Sequence, residues 1–190
     1  MKYVENQKFE NKKITKLEGI QFNDCTFINC MFDHCDCMNT QFLECVFEKS
    51  KLVQVGFVHS QMRNCSFKQC ECIGISFGNV VPNGSVDTIF QECSKSYFKY
   101  CIFQGMKLTK FQAITNTFEQ CSFHYCDLKS ANFSGCQLMN SDFQQSNLQK
   151  ANFKDSYGYI IDPKTNQLKG AMFSIPEVLH LLDGLGIKID

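Results

Sequence analysis

Large apolar residues recur at every fifth position from Leu17 to Phe77, and the residue two places before each is usually Cys, Ser, Thr or a short aliphatic. We call these the central and the small position of a pentapeptide. The pattern resumes from Phe98 to Phe153, one residue out of phase. Fifteen of the nineteen phenylalanines occupy central positions, and twelve of the thirteen cysteines occupy one of the two positions. The pattern therefore predicts two inward-facing residues in every five.

A period of five fits neither the 3.6-residue period of an amphipathic helix nor the two-residue period of a strand. Residues twenty apart also match, as in Phe27, Phe47 and Phe67. Four pentapeptides per turn indicate a four-sided coil whose turns stack at the strand-pairing distance of about 4.8 Å. About seven such turns make a rod of roughly 30 Å. The predicted fold class is an all-β solenoid whose core is a pile of side-chain ladders.

The segment CDLKSANFSGCQLMNSDFQQSNLQKANF, residues 126–153, resembles the pentapeptide-repeat family with its A-(D/N)-L-x-x consensus. The resemblance covers roughly residues 15–157 and implies a right-handed quadrilateral β-helix. The tail YGYIIDPKTNQLKGAMFSIPEVLHLLDGLGIKID resembles the C-terminal end of the Qnr quinolone-resistance group and of a microcin immunity protein. This second resemblance implies a homodimer formed by a C-terminal helix and a short strand.

The predicted organisation has three parts. Residues 1–16 hold five lysines and two glutamates and are predicted to cap one end, residues 17–157 form the β-helix, and residues 158–190 form a C-terminal cap. Ser174 and Glu177 have the spacing of a capping box, which predicts a short helix from this point. That helix either only plugs the last turn or also meets a symmetry mate. The predicted dimer interface is Val178, Leu179, Leu182, Leu185, Ile187 and Ile189.

The register breaks between Phe77 and Phe98, where GNVVPNGSVD, residues 78–87, predicts a loop within 78–95. Such a loop is either a tolerated surface insertion or a contact with a partner, since loops on rigid scaffolds often bind. The Qnr resemblance implies a loop that acts on the target. The predicted contact residues are Val80, Val81, Pro82, Asn83 and Val86.

Nineteen basic and nineteen acidic residues cancel, which argues against a strongly basic nucleic-acid binder. Locally, six acids and no Lys or Arg lie between Leu17 and Glu48. They are either the solvated face of the coil or a patch that competes with DNA phosphates for a basic protein surface. The predicted partner-binding acids are Asp24, Asp33, Asp36, Glu44 and Glu48, and the sixth acid is Glu18.

The cysteines, His34 and His59 predict no catalytic or metal site, because inward cysteines on successive sides do not converge on one point. We expect no cofactor, no enzyme activity and no direct contact with nucleic acid or membrane. No N-terminal export signal or apolar span is visible, so reduced thiols in a cytoplasm are expected.

The Qnr resemblance implies a binding protein that docks on a type II topoisomerase, DNA gyrase, by partial DNA mimicry and protects it from quinolones or a toxin. Because the chain as a whole is neutral, the alternative is an interaction scaffold for an unrelated bacterial protein.

Overall fold

The chain forms a parallel β-solenoid of about eight turns, or coils, with one short C-terminal helix. The computed structural model describes residues 1–80, 88–183 and 185–187. Successive coils pair in parallel with a register of twenty residues, as in Phe22 with Phe42 and Phe27 with Phe47. The predicted quadrilateral β-helix is therefore confirmed.

The strands lie on the four sides of the coil and are numbered along the chain. Side 1 contains β1 (Lys2–Glu5), β4 (Ile20–Asn23), β7 (Gln41–Leu43) and β11 (Gln61–Arg63). Side 2 contains β2 (Lys8–Glu10), β5 (Thr26–Ile28), β8 (Val46–Glu48), β12 (Cys65–Lys68), β14 (Phe90–Ser94) and β16 (Ala113–Ile114), followed by the pair β19 (Asn152–Phe153) and β21 (Met172–Phe173).

Side 3 contains β3 (Lys13–Glu18), β6 (Met31–Met38), β9 (Lys51–Val53), β13 (Glu71–Ile73), β15 (Tyr97–Lys99), β17 (Thr117–Glu119), β18 (Gln137–Asp142) and β20 (Tyr157–Ile160). The longer strands β3, β6, β18 and β20 turn the corner onto side 4, where β10 (Gly56–Val58) pairs with the end of β6. In the C-terminal half of the solenoid, sides 1, 2 and 4 are joined mainly by isolated bridges.

The core consists of ladders of central side chains. Phe103, Phe123 and Phe143 stack with ring centroids 4.6 and 4.8 Å apart, and their ring planes are within 5° of parallel. Rings on neighbouring sides meet edge to face, as Phe118 and Phe123 do at 5.4 Å. Both geometries are favoured between aromatic rings, so the phenylalanine-rich composition is explained by the ladders.

The corners of the coil lie two residues after each central position. Here residues such as Asp24 and Glu44 adopt a left-handed backbone, with φ of 48° and 57°. The corner N–H donates to a carbonyl of the next coil, as Asp24 does to Leu43 at 3.0 Å. This hydrogen bond helps to hold a conformation that non-glycine residues otherwise avoid.

The second register begins at Cys93, which pairs with Phe67 in the coil before it and with Ala113 in the coil after it. The predicted loop at 78–95 is thus too long, because Phe77–Asn79 form a 3₁₀ turn and Phe90–Ser94 form β14. A bulge between β12 and β14 brings Phe90 into the core, with its ring 5.1 Å from that of Phe77.

The N-terminal end differs from the sequence interpretation, whereas the C-terminal end has the short helix that was predicted. The segment predicted as an N-terminal cap forms the first coil, because β1, β2 and β3 pair in parallel with β4, β5 and β6. The C-terminal helix is short, a 3₁₀ turn at Glu177–Leu179 followed by α1 at His180–Asp183. Among the described residues, no helix is long and apolar enough to cross a membrane.

The predicted capping box is wrong. Ser174 Oγ accepts a hydrogen bond from the Asp155 N–H at 3.0 Å, and Glu177 Oε1 accepts one from the Gly158 N–H at 2.6 Å. Both side chains therefore bind the preceding coil and do not cap their own helix. Their spacing fits a capping box only by chance.

Candidate interaction surfaces

Three of the predicted acids lie together on neighbouring sides of the rod. Asp24 and Glu44 occupy the corner between sides 1 and 2 in adjacent coils, directly after paired residues of β4 and β7. Glu48 ends β8 on side 2. Asp24 and Glu44 are exposed and Glu48 is half-buried. We call Asp24, Glu44 and Glu48 the acidic corner.

The other acids of these coils lie on the opposite sides. Asp33 and Asp36 belong to β6 on sides 3 and 4, and Glu18 ends β3, which pairs with β6. The acids between residues 17 and 48 therefore do not form one continuous stripe. The structure brings together three of them and separates the other three, because a four-sided coil points its outward residues in four directions.

Cations partly neutralise both groups. In the acidic corner, Glu44 Oε1 lies 3.7 Å from an Arg63 guanidinium nitrogen, and Glu48 Oε1 lies 3.4 Å from Lys49 Nζ. On the opposite sides, Glu18 pairs with Lys16 at 2.8 Å. These pairs are exposed or half-exposed, so they are screened by solvent and weakly held. A more basic partner surface can displace them.

Val80 is the one predicted loop contact that lies within the described residues. Val80 is 2% exposed and packs in the core, so its side chain does not contact a partner, contrary to prediction. Its N–H donates to the Phe77 carbonyl at 3.0 Å, which closes the 3₁₀ turn and directs the side chain inward. Val81, Pro82, Asn83 and Val86 lie outside the described residues.

The C-terminal segment exposes part of the predicted dimer interface. Leu179, Leu185 and Ile187 are 41%, 43% and 50% exposed, respectively. Val178 is partly buried against the core, and Leu182 is partly buried. Ile189 lies outside the described residues. The described apolar residues leave a surface here that can pack against another chain.

Sequence reasoning missed a row of exposed apolar residues on side 4 and its two corners, which Ser122 and Asp142 interrupt between Ile102 and Ile160. We call it the apolar row; its members are Met38, Val58, Tyr100, Ile102, Tyr125 and Ile160. The nearby charges on side 3 are paired, since Lys51 meets Glu71 at 2.9 Å and Lys99 meets Glu119 at 2.6 Å. The register itself carries this signal, because it identifies which apolar side chains stand at outward positions.

The cysteines are buried structural residues in this fold. All thirteen thiols are free and buried. Cys126 Sγ donates to the Phe103 carbonyl at 2.9 Å, and burial raises the pKa of this thiol to about 11. Among the described residues, no group of three Cys, His, Asp or Glu side chains is arranged as a metal site.

Residues 118–156 match the family model of pentapeptide repeats, in eight copies. The match covers this part of the chain only, and the parallel solenoid continues with the same coil geometry through the other described residues. No curated protein matches the sequence.

Solved structures of two other proteins have a similar fold. Two structures of trypsin-treated variants of QnrB1, described as a plasmid-mediated fluoroquinolone resistance protein, have TM-scores of 0.68. They are 16% and 17% identical, and the alignments cover 100% and 99% of this chain and 98% and 99% of those chains. HetL, a pentapeptide repeat protein involved in heterocyst differentiation regulation in the cyanobacterium Nostoc, has a TM-score of 0.54 at 13% identity, covering 89% of this chain and 84% of its own. At these identities the likeness shows the fold.

Proposed function

We propose that this chain is a non-enzymatic binding protein that docks on a type II topoisomerase, DNA gyrase, by partial DNA mimicry. In doing so it protects the enzyme from quinolones or a toxin. Support comes from the fold shared over nearly the whole chain with QnrB1, whose description is that of a fluoroquinolone resistance protein. The observation that carries the proposal is the acidic corner, whose carboxylates belong to adjacent coils of a rigid rod.

Mimicry of this kind depends on geometry and charge. Asp24 and Glu44 directly follow paired residues of β4 and β7, and paired strands lie about 4.8 Å apart, so their charges are held close together without flexible linkers. A basic groove that binds DNA phosphates would attract such a surface, and the attraction would weaken as salt rises. The proposed site is the acidic corner together with Val81, Pro82, Asn83 and Val86, the predicted contact residues that lie outside the described part of the chain.

The proposed assembly is a homodimer through the C-terminal segment, with the exposed Leu179, Leu185 and Ile187 at its centre. Two copies joined at this end would make a rod about twice as long as one chain. Each half would present its own acidic corner to the enzyme.

The main test is a gyrase supercoiling assay with ciprofloxacin, with and without the protein. Replacing Asp24, Glu44 and Glu48 with Lys changes the charge by six and should weaken salt-sensitive gyrase binding at least tenfold. The matched control replaces Glu18, Asp33 and Asp36 with Lys, which changes the charge equally in the first and second coils but on the opposite sides of the rod. Equal loss in both variants would contradict a contact at the acidic corner, and no gyrase binding by the wild type would refute the proposal.

The second candidate is an interaction scaffold for an unrelated bacterial protein. The apolar row favours this function, because exposed apolar side chains with paired charges beside them suit a protein interface better than a phosphate groove. Tyr100→Ser with Tyr125→Ser should abolish binding to such a partner. Gyrase binding, if it exists, should survive this change.

A further inference from the structure

The N-terminal end of the rod is an open apolar bowl. Phe27 is stacked on both faces, by Phe9 at 5.0 Å and by Phe47 at 5.1 Å. Phe9 belongs to the first coil, so no further described coil covers its other face. With Val4, Ile14 and Leu17 it is only partly buried. Together these side chains line a concavity of about 380 Å³, which is within the range of small-molecule sites.

Two lysines occupy inward positions at this end. Lys2 pairs in register with Ile20, and Lys12 precedes Lys13, which pairs with Met31. Lys2 and Lys12 are thus at the small position of their pentapeptides, where the following coil has Ile20 and Cys30. A lysine there lays its methylene stem over the apolar floor and holds its ammonium group in water. Lys2, Lys12 and Lys13 all line the bowl.

The lysines at the bowl differ from the other lysines of the first coil. Lys8 pairs with Glu10 at 2.6 Å and Lys16 pairs with Glu18 at 2.8 Å. Lys2, Lys12 and Lys13 have no anionic partner among the described residues. The bowl therefore combines an uncovered apolar floor with three ammonium groups that lack a counter-charge from the chain.

We propose that this end of the rod binds one long-chain carboxylate, with its hydrocarbon chain in the bowl and its carboxylate between the ammonium groups of Lys2 and Lys12. The floor offers only apolar contacts, and lysine recognises an anion as a point charge without fixed geometry. A fatty-acid-like ligand matches these two features, because it carries one negative charge at the end of an apolar chain. The site is separate from the acidic corner and does not depend on the proposed function.

The charges around the bowl favour a single small ligand over a wide acidic surface. Glu5, Glu10 and Glu18 lie on the outward positions of the same coil and are exposed. An anionic membrane or an acidic protein face would meet these carboxylates as it approached. A single carboxylate at the centre of the bowl would meet mainly the lysines.

The test is calorimetric titration of the full chain with dodecanoate below its critical micelle concentration. We expect one molecule bound per chain. Hexanoate, which buries six fewer methylene groups, should bind at least a hundredfold more weakly. Dodecyltrimethylammonium, with the same chain and the opposite charge, should not bind at the bowl.

The variant Lys2→Ala with Lys12→Ala should weaken dodecanoate binding about fivefold to tenfold, as expected for two exposed charge contacts. The matched control Lys8→Ala removes a lysine of the same coil that is paired with Glu10, and binding should be unchanged. Chemical shifts of the methyl groups of Val4, Ile14 and Leu17 should move on binding, whereas those of Leu181 should not.

Three outcomes would overturn the proposal. The first is that dodecanoate does not bind, and the second is that it binds equally well to the double-alanine variant, which would locate the ligand elsewhere. The third outcome is that monomeric dodecanoate does not bind, whereas phosphatidylglycerol vesicles or polyglutamate bind through Lys2 and Lys12. That last result would assign the end of the rod to a membrane or to an acidic protein.

Discussion

At the residue scale, the small inward side chains tie each coil to its neighbours. Ser50 Oγ donates to the Phe27 carbonyl at 3.0 Å and accepts from the Cys30 N–H at 3.0 Å. Cys45 Sγ donates to the Phe22 carbonyl at 3.5 Å in the same direction. Cysteine and serine thus occupy equivalent positions, and the abundance of cysteine follows from its small size and its preference for burial.

The thiols should respond to alkaline pH. Burial raises the pKa of Cys65 and of Cys136 to about 12, whereas a thiol in an unfolded chain has a pKa of about 8.5. As the pH rises from about 8.5 towards 12, the unfolded chain gains thiolate and the folded chain does not, so the folded state loses stability. Melting temperatures should fall across this range, and less steeply for Cys65→Ser with Cys136→Ser. An equal slope in this variant would contradict the burial argument.

The inward phenylalanines should dominate stability. Phe47 is fully buried and stacks on Phe27 at 5.1 Å and on Phe67 at 4.9 Å. Phe47→Ala should cost about 3–5 kcal/mol in the free energy of unfolding, because the neighbouring rungs cannot close the cavity. Lys68→Ala on the outer surface should cost less than about 0.5 kcal/mol. Denaturant unfolding measures both, and equal costs would contradict the inward assignment.

At the element scale, each pentapeptide is a short strand followed by a left-handed corner. Most corners hold Asn, Asp, Gln, Lys or Gly, which tolerate this backbone in different degrees. Thr115 is an exception, with a φ of 56° and a β-branched side chain. Its Oγ1 donates to the Ile114 carbonyl at 2.7 Å, a local bond that an asparagine amide can replace.

Thr115→Asn should therefore raise the free energy of unfolding by about 0.5–1 kcal/mol, because asparagine accepts a left-handed backbone more readily. Thr117→Asn provides the control, since Thr117 lies in strand β17 two residues away. There the same substitution should lower stability, because asparagine is unfavourable in strands. Thermal melts of the two variants should shift in opposite directions, and shifts of the same sign would contradict the corner argument.

The regular coils were predictable from sequence, and the irregular one was not. The five-residue and twenty-residue periods identified the inward residues, because each inward position repeats the same packing environment. Phe90 and Cys93 broke the pattern, since a β-bulge inserts a residue whose side-chain direction cannot be read from spacing. The capping box failed for a related reason, because Ser174 and Glu177 bind partners from the preceding coil.

At the scale of the whole molecule, the rod carries an acidic, an apolar and a basic surface in different places. The neutral net charge of the chain does not reveal them. The acidic corner lies between sides 1 and 2, the apolar row follows side 4, and the uncompensated lysines surround the N-terminal bowl. Sequence spacing predicted that the acids point outward and that Asp24 and Glu44, twenty residues apart, share one column, and the structure places Asp24 and Asp36 on different sides of the coil. Acids that are close together in the sequence therefore lie on different sides of the rod.

The C-terminal end provides the last prediction, which concerns the proposed dimer. Leu179→Asp places a carboxylate on an exposed residue of the short helical segment, where burial against a second chain would leave the charge unpaired. We expect this variant to be monomeric by light scattering at micromolar concentration. Ile102→Asp is the matched control, because Ile102 is similarly exposed, at 42% against 41% for Leu179, but lies on side 4. It should remain dimeric, and a monomeric wild type would refute the dimer, because an apolar surface of this kind gains stability only when a second copy covers it.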